Sequence, residues 1–489
     1  MRAAALLAAA LLAAALLAGC GIDDPPSQPS GSTLRATIGD PDRDGALTRE
    51  RGEPLLDRTE LAPRGRAPRE VARLAQLTDL HVRDEESPAR VPFLDRLGPP
   101  VTSTFRPQEA VSPHVLAAAI RSVNAERPQA VLLTGDLLDN AQRNELEQLL
   151  GVVEGGPVDP DSGGRGYQGV QAASNPDGFF YRPRVDAPRH PGVLGRAQRE
   201  FLSPGLRAPW HAALGNHDVL VQGELPPSPA TDAIATGDEA LLTFDPALRD
   251  RVAALPRGAD PSPDLRDVPR AAIEDLLAEG VPGRATRIRP DARRAAVTGE
   301  ELRDRLPLDR AFDAGEQLRV IVLDTVNRDG GAGGVLPPEE LEALRQELRR
   351  AGDRSILIAD HHGLARTEGG DAALALLDED PRVVAEVSGD THRHEIRPRH
   401  TPAGGFWQIH TASLADWPQQ GRMLRLVTGD DGSRALETWV VDHAGRVDGA
   451  DLAGFGRELA FLDAQGGRPQ GFAGQRGDRN ARLWLPPRD

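Results

Sequence analysis

Val71-Ala72-Arg73-Leu74-Ala75-Gln76-Leu77-Thr78-Asp79-Leu80-His81 and Ala130-Val131-Leu132-Leu133-Thr134-Gly135-Asp136 are the two stretches on which the fold turns. Each is a short apolar run of strand type that ends on metal-competent side chains. Between them, Ser112-Pro113 reads as an N-cap followed by proline at the first helical position, and Val115, Leu116, Ala119, Ile120 and Val123 recur at helical spacing. Strand, helix and strand make a βαβ unit, whose right-handed crossover implies a parallel pair. In that arrangement ligands bind beyond the carboxyl ends of the strands, where Asp79, His81 and Asp136 fall.

Further strands are expected at Ala212–Leu214, Leu318–Leu323, Ile356–Ala359 and Val383–Val387, with Phe406–Ile409 and Leu424–Val427 as antiparallel additions. Leu336–Ala351 reads as a helix, opened by Pro337 and Pro338, with Glu339 and Glu340 at its positive dipole end. No repeat of fixed period is present. Residues 151–209 and 222–312 are loop-like in composition, so the expectation is one α/β domain over 70–445 with two large insertions, then a C-terminal extension, 446–489. The run Gly330-Gly331-Ala332-Gly333-Gly334 lacks the lysine of a phosphate-binding loop and reads as a flexible connection. Phe179-Phe180-Tyr181, near Arg182 and Arg184, suits either a lid over a substrate or a loop anchor.

The whole chain has 489 residues, enough for a large buried core, with 42 Pro and 51 Gly concentrated between the apolar segments. All 58 basic residues are arginine, and the formal charge is −16. So acidic a chain, without a basic stripe, is a poor candidate for nucleic-acid binding and a good one for holding cations. The single cysteine, Cys20, excludes an internal disulfide framework. It follows Arg2, an Ala/Leu run from Ala3 to Ala18, and Gly19. The run is short of the roughly 20 apolar residues that span a bilayer and reads as an export signal, 1–19. Leu17-Ala18-Gly19-Cys20 also resembles a bacterial lipobox, which implies cleavage before Cys20 and a lipid on its thiol; an ordinary secretory signal is the alternative. Residues 20–69 then read as a flexible tether, placing the domain outside the cytoplasm, at the cell envelope and anchored to its membrane.

Five short segments place metal-competent side chains just after an apolar strand: Asp79-Leu80-His81; Gly135-Asp136-Leu137-Leu138-Asp139-Asn140; Gly215-Asn216-His217-Asp218; Asp360-His361-His362-Gly363; and Gly389-Asp390-Thr391-His392. Mixed Asp, Asn and His donors suit hard to borderline cations, and a thiolate zinc site is excluded. In order and type these segments resemble the calcineurin-like metallophosphoesterases, over about Val71 to Val427. Ile409-His410-Thr411-Ala412-Ser413 and Asp416-Trp417-Pro418-Gln419-Gln420 are similar to an exported bacterial branch of that family. The resemblance implies a four-layer α/β/β/α sandwich carrying two metal ions, with Mn, Fe, Zn or Mg all compatible. By it, one ion takes Asp79, His81 and His392, the other takes Asn216, His361 and Asp390, and Asp136 bridges them. A metal-bridging hydroxide would attack a small phosphate mono- or diester in line. His217 would stabilise the phosphoryl group or protonate the leaving oxygen, with Asp218 orienting it.

One departure matters. The family pattern Gly-His-x-His stands here as Gly389-Asp390-Thr391-His392, so a carboxylate replaces a histidine ligand. A shifted register, with His392 and His394 as the pair, is the alternative. Asp139, Asn140, His362, His394 and His410 are expected around the ligands and not among them. His114, His190, His211, His400 and His443 read as solvated or core residues, and Gly135 and Gly215 as tight strand-end turns. The competing function is a surface protein that keeps the fold and binds metal or a phosphorylated ligand without turnover.

Overall fold

A computed structural model describes residues 31–90, 104–244, 283–463 and 471–487. The expected export signal and Cys20 lie outside them. In chain order the strands that build the fold are β1 (Leu56–Arg58), β2 (Arg69–Leu77), β3 (Ala130–Thr134), β4 (Trp210–Ala213), β5 (Ala311–Ala314), β6 (Leu318–Val322), β7 (Ser355–Ala359), β8 (Val383–Ser388), β9 (Glu395–Arg399), β10 (Phe406–His410), β11 (Gln420–Thr428), β12 (Arg434–Asp442) and β13 (Ala481–Leu485). The principal helices are α1 (Ser112–Glu126), α2 (Arg143–Glu154), α3 (Pro338–Arg350), α4 (Gly370–Asp378) and α5 (Leu452–Leu462).

Two mixed sheets result. One has the order β1-β13-β12-β11-β2-β3-β4, the other β5-β6-β7-β8-β10-β9. Strands β2, β3 and β4 run parallel, as do β6, β7, β8 and β10, so the βαβ expectation and the mixed α/β class hold. The sheets pack face to face: Leu74, Leu132, Val320, Leu357, Val387, Leu424 and Leu483 share one core. Neighbouring residues on the same strands point the other way. Leu77 and Leu133 pack with Leu116, Ile120 and Leu149 of α1 and α2, while Ile321 and Ile358 pack with Leu344, Leu348, Leu374 and Leu377 of α3 and α4. Burial on both faces is why these strands read as unbroken apolar runs and not as alternating ones.

Several expectations are corrected. Phe406–His410 runs parallel to Val383–Ser388, because β9 turns back and fills the edge in its place. Ser112 is the first residue of α1 and not its cap; a short 3-10 turn, Glu109–Val111, leads into the helix, and the Ser112 hydroxyl accepts from the Arg83 amide. The described part of the expected tether is docked: Ser32 and Thr33 are buried, Ser32 bridges to Val441, and Leu56–Arg58 is an edge strand. The C-terminal segment is equally integral. Its helix α5 packs on the start of α1 through Phe455 and Leu459, and β13 lies within the larger sheet. Phe180 is fully buried against Phe105, 5.1 Å between ring centres, so that aromatic cluster anchors a loop. Among the described residues no helix is long and apolar enough to cross a membrane.

Candidate metal centre

The loops leaving β2 and β3 stay paired beyond the strands. The Asp79 amide donates to the Gly135 carbonyl at 3.0 Å, that of His81 to Asp136 at 2.9 Å, and that of Val82 to Leu137 at 3.0 Å. On the second sheet the Gly389 amide donates to the His361 carbonyl (3.0 Å) and that of Thr411 to Ser388 (3.0 Å). Gln76, fully buried between the sheets, joins these ends: its amide donates to Thr134 Oγ1 (2.8 Å) and the Ser388 carbonyl (3.2 Å) and accepts from Thr411 Oγ1 (2.7 Å).

At this rim five non-glycine residues occupy the left-handed region: Asp79 (φ 50°), His81 (φ 42°), Asp136 (φ 49°), Asp390 (φ 64°) and His392 (φ 55°). Asp and His tolerate that conformation better than most residues, yet each such position costs on the order of 1–3 kcal/mol. Strain at five positions that carry carboxylate or imidazole groups at one rim points to a site that needs them aimed inward.

The side chains converge. One ligand atom each from Asp79, His81, Asp136 and His392 lies within 4.8 Å of the others, and His361, His362 and Asp390 form an adjoining cluster by the same measure. Asp136 stands between the two: Oδ2 lies 3.6 Å from His81 Nε2, and Oδ1 3.4 Å from His361 Nε2. His392 Nε2 is 3.2 Å from Asp79 Oδ1. His81 Nε2, His361 Nε2 and Asn216 Oδ1 are buried without a hydrogen-bond partner, whereas native proteins pair nearly all such atoms. The Asn216 amide nitrogen donates to the Gly223 carbonyl at 3.0 Å, which leaves that oxygen free. Unpaired nitrogen and oxygen donors around shared carboxylates fit two cations with oxygen and imidazole ligands.

Without cations the site balances itself by protonation. Burial alone would lower the His361 imidazole, but Asp136 outweighs it and holds His361 well above its ordinary value. Burial would likewise raise Asp136, but His361, His217 and His81 hold it well below. Burial opposes His392 too, and Asp79 with Asp416 pushes it up to about 9. His81 is the exception: burial takes it down to about 4 despite its bond to Asp139. Cation binding would therefore displace protons.

Each histidine is held from behind. His81 Nδ1 meets Asp139 Oδ1 at 3.0 Å, His361 Nδ1 meets the Thr134 carbonyl at 2.8 Å, and His392 Nδ1 meets Asp416 Oδ2 in a short contact. Such partners fix the ring and leave Nε2 for a ligand. His217 has its Nδ1 on the Asp139 carbonyl (2.6 Å) and its backbone amide on Asp136 Oδ1 (3.0 Å); its ring is edge-on to His81 at 4.6 Å. Asp218 does not play the orienting part expected of it. Its oxygens accept the amides of Leu137 and Leu138 (2.8 Å each) and Gly215 (2.7 Å), so it fastens the Asp136 loop to the Asn216 turn. Burial, with Asp136 nearby, pushes the Asp218 carboxyl up to about 7.

The remaining candidates separate. Asp390 sits beside His361, with its amide on Asp79 Oδ1 at 3.1 Å. His362 has both nitrogens occupied, by Thr325 Oγ1 and the Ala332 carbonyl (3.1 Å each), so the glycine-rich 330–334 run is an ordered wall behind it. His394 accepts from Arg422 (3.0 Å) and the Ala412 amide (3.1 Å) and faces Gln420 at 3.1 Å. That buried network, away from Asp136, removes the shifted-register alternative. Asn140 holds the Gln222 amide (2.7 Å) and Gln142 (3.1 Å), and His410 meets Ser388 Oγ at 2.8 Å. Gly135 has φ +87°, as a tight turn requires, and a Cβ there would also meet the His361 ring. Gly215, at φ −106°, needs no special backbone; a Cβ there would collide with Asp136.

Asp416, Arg106 and Phe472 had no assigned role in the sequence. Asp416, held by Arg106 Nε at 2.7 Å, positions His392; Phe472, from the C-terminal segment, lies edge-on to the same ring at 6.4 Å, with the exposed Arg393 guanidinium 5.9 Å over its own ring. Asp416 could have been sought as a carboxylate for the second nitrogen of a metal-competent histidine. Nothing local announces Phe472.

No protein-family model and no curated protein matches the chain. Among solved structures it is similar to a dimetal phosphatase from Danio rerio, at 12% identity and TM-score 0.37 over 77% of this chain and 100% of that one. It is also similar to the sulfate thiohydrolase SoxB of Thermus thermophilus, in complex with glycerol, at 15% identity and TM-score 0.29, covering 82% of this chain and 61% of that one. A purple acid phosphatase from yellow lupin (Lupinus luteus) seeds is similar at 11% identity and TM-score 0.31, covering 80% and 54%. The chain thus spans less than two thirds of the length of the latter two.

Proposed function

We propose that this chain is a binuclear metallophosphoesterase of the calcineurin-like type, hydrolysing a small phosphate ester. The supporting observation is Asp136, whose two oxygens face His81 and His361 on opposite sides while both imidazoles lack a hydrogen bond at Nε2. Asp79, His81 and His392 would hold one cation and Asn216, His361 and Asp390 the other, with Asp136 shared. Such a pair supplies Lewis acidity toward phosphoryl oxygens and activates water at neutral pH. The protein's own part is positional. Asp139 and Asp416 aim two of the imidazoles, and Asp218 keeps the Asp136 and Asn216 loops in register. His217, fixed through Nδ1, presents Nε2 to the substrate.

The test is metal analysis with turnover of aryl phosphomonoesters and phosphodiesters, comparing wild type with Asp136→Ala. Two bound ions and activity in wild type, both reduced in a folded variant, are expected. An inactive, metal-free wild type would end the proposal. The proposed location, exported and lipid-anchored through Cys20, is supported by the leader sequence alone. Incorporation of labelled fatty acid, abolished by Cys20→Ala, tests it.

A further inference from the structure

Behind the metal centre lies a buried group of three guanidiniums, Arg83, Arg90 and Arg106, and three carboxylates, Glu109, Asp139 and Asp416; every side chain in it is 2% exposed or less. Asp139 and Asp416 are the two groups that hold His81 and His392. Glu109 reaches both through arginines. Its Oε2 accepts from Arg83 Nη1 at 3.0 Å, and the other end of that guanidinium binds Asp139 in a short contact. The same oxygen accepts the Arg106 backbone amide at 3.0 Å, and the Arg106 side chain binds Asp416 through Nε at 2.7 Å and Nη2 at 3.3 Å. Arg90 closes the group: it binds Glu109 at 2.7 and 2.8 Å and lies 3.7 Å from Asp139.

We infer that Glu109 is a positioning residue for one of the two cations, that of Asp79, His81 and His392, acting through two relays of arginine, aspartate and histidine. His81 and His392 belong to different sheets and their loops are far apart in sequence. Glu109, on the short turn before α1, is the common point of both relays among the described residues. Among the described residues the His361 side has no such relay: its ring leans on a backbone carbonyl. Loss of Glu109 therefore loosens one ion and not both. A partner in the outer shell of a metal site is typically worth about 10–100-fold in affinity, and that is the expected loss for this ion.

The inference rests on the metal-centre reading, and the experiment separates the two. Wild type, Glu109→Gln and the charge-balanced pair Glu109→Gln with Arg90→Gln are stripped of metal and titrated with Co²⁺. Stoichiometry, dissociation constants and the visible spectrum are followed, with folding checked by circular dichroism. His392→Ala and His361→Ala give the reference spectra for loss of either site. The expected result is two sites in wild type, with one site weakened about 10–100-fold in both Glu109 variants and a residual spectrum matching His392→Ala. If Glu109→Gln fails to fold because an arginine is left uncompensated, the balanced pair decides. Wild-type affinity at both sites, equal loss of both, a residual spectrum matching His361→Ala, or failure of both variants to fold would each overturn the inference. A wild type that binds no cobalt removes the metal-centre reading itself.

Discussion

Replacing His217 by Asn tests the chemistry most sharply, because the structure fixes which ring nitrogen is available. Nδ1 faces the Asp139 carbonyl at 2.6 Å, an atom that can only accept, so Nδ1 carries a hydrogen. Nε2 is left to meet the substrate, and it can donate to an ester oxygen only when the ring is doubly protonated. A proton delivered to the leaving oxygen is worth about 10²–10⁴ in rate, or roughly 3–5 kcal/mol at 1.36 kcal/mol per decade. A charge-assisted hydrogen bond to the phosphoryl group alone is worth about 1.5–3 kcal/mol. The leaving group separates these contributions, since nitrophenolate departs without a proton and an alkoxide does not. We predict that His217→Asn keeps both ions, and that kcat/KM falls at least about ten-fold further on an alkyl phosphate than on nitrophenyl phosphate. The assay is kcat/KM on both esters with metal content measured on the same samples. Equal losses on the two esters would refute the proton-donor role.

In metal-free protein, His392 is pushed up to about 9 from an ordinary 6.5. Its contribution is fully present below about pH 6.5 and is lost as pH rises through 9, at most roughly 3 kcal/mol. Glu86 and Glu145, both pushed up to about 8 by burial, also respond in this range. The measurement is therefore urea unfolding of EDTA-treated wild type against His392→Gln between pH 6 and 9.5, and the variant should show the shallower decline. Gly135→Ala should cost at least about 1–2 kcal/mol for its left-handed backbone and displace His361, lowering metal content from two ions toward one; unfolding curves and elemental analysis check this. Arg393→Ala and Phe472→Ala, at the edge of the His392 side, should raise KM several-fold for aryl esters at unchanged metal content, read from steady-state kinetics. An unchanged KM would place the substrate elsewhere.

Much of the site was legible because its donors come in short segments just after apolar runs, and backbone pairing carries such segments to one sheet edge. Asp79-x-His81 and Gly135-Asp136 needed only the βαβ unit to become neighbours, since consecutive parallel strands present their carboxyl ends together. The apolar runs likewise determined the mixed α/β class. Other features are set by packing at long range. Asp218 and His217 are adjacent in the chain, but a helical turn points them apart, and three backbone amides claimed the carboxylate. Phe406–His410 had the composition of any edge strand; its parallel pairing depended on β9 taking the edge. Residues 31–69 looked solvated because their few apolar side chains are spaced without period, yet they supply an edge strand whose pairing partner, β13, lies near the other end of the chain. By itself, then, the sequence determined which metal-competent side chains stand just after apolar strands, because local periodicity and donor chemistry are written in neighbouring residues. Only the tertiary structure decided which carboxylate steadies which histidine, because those bonds join separate loops, His81 to Asp139 beyond β2 and β3 and His392 to Asp416 beyond β8 and β10, and depend on how the loops pack.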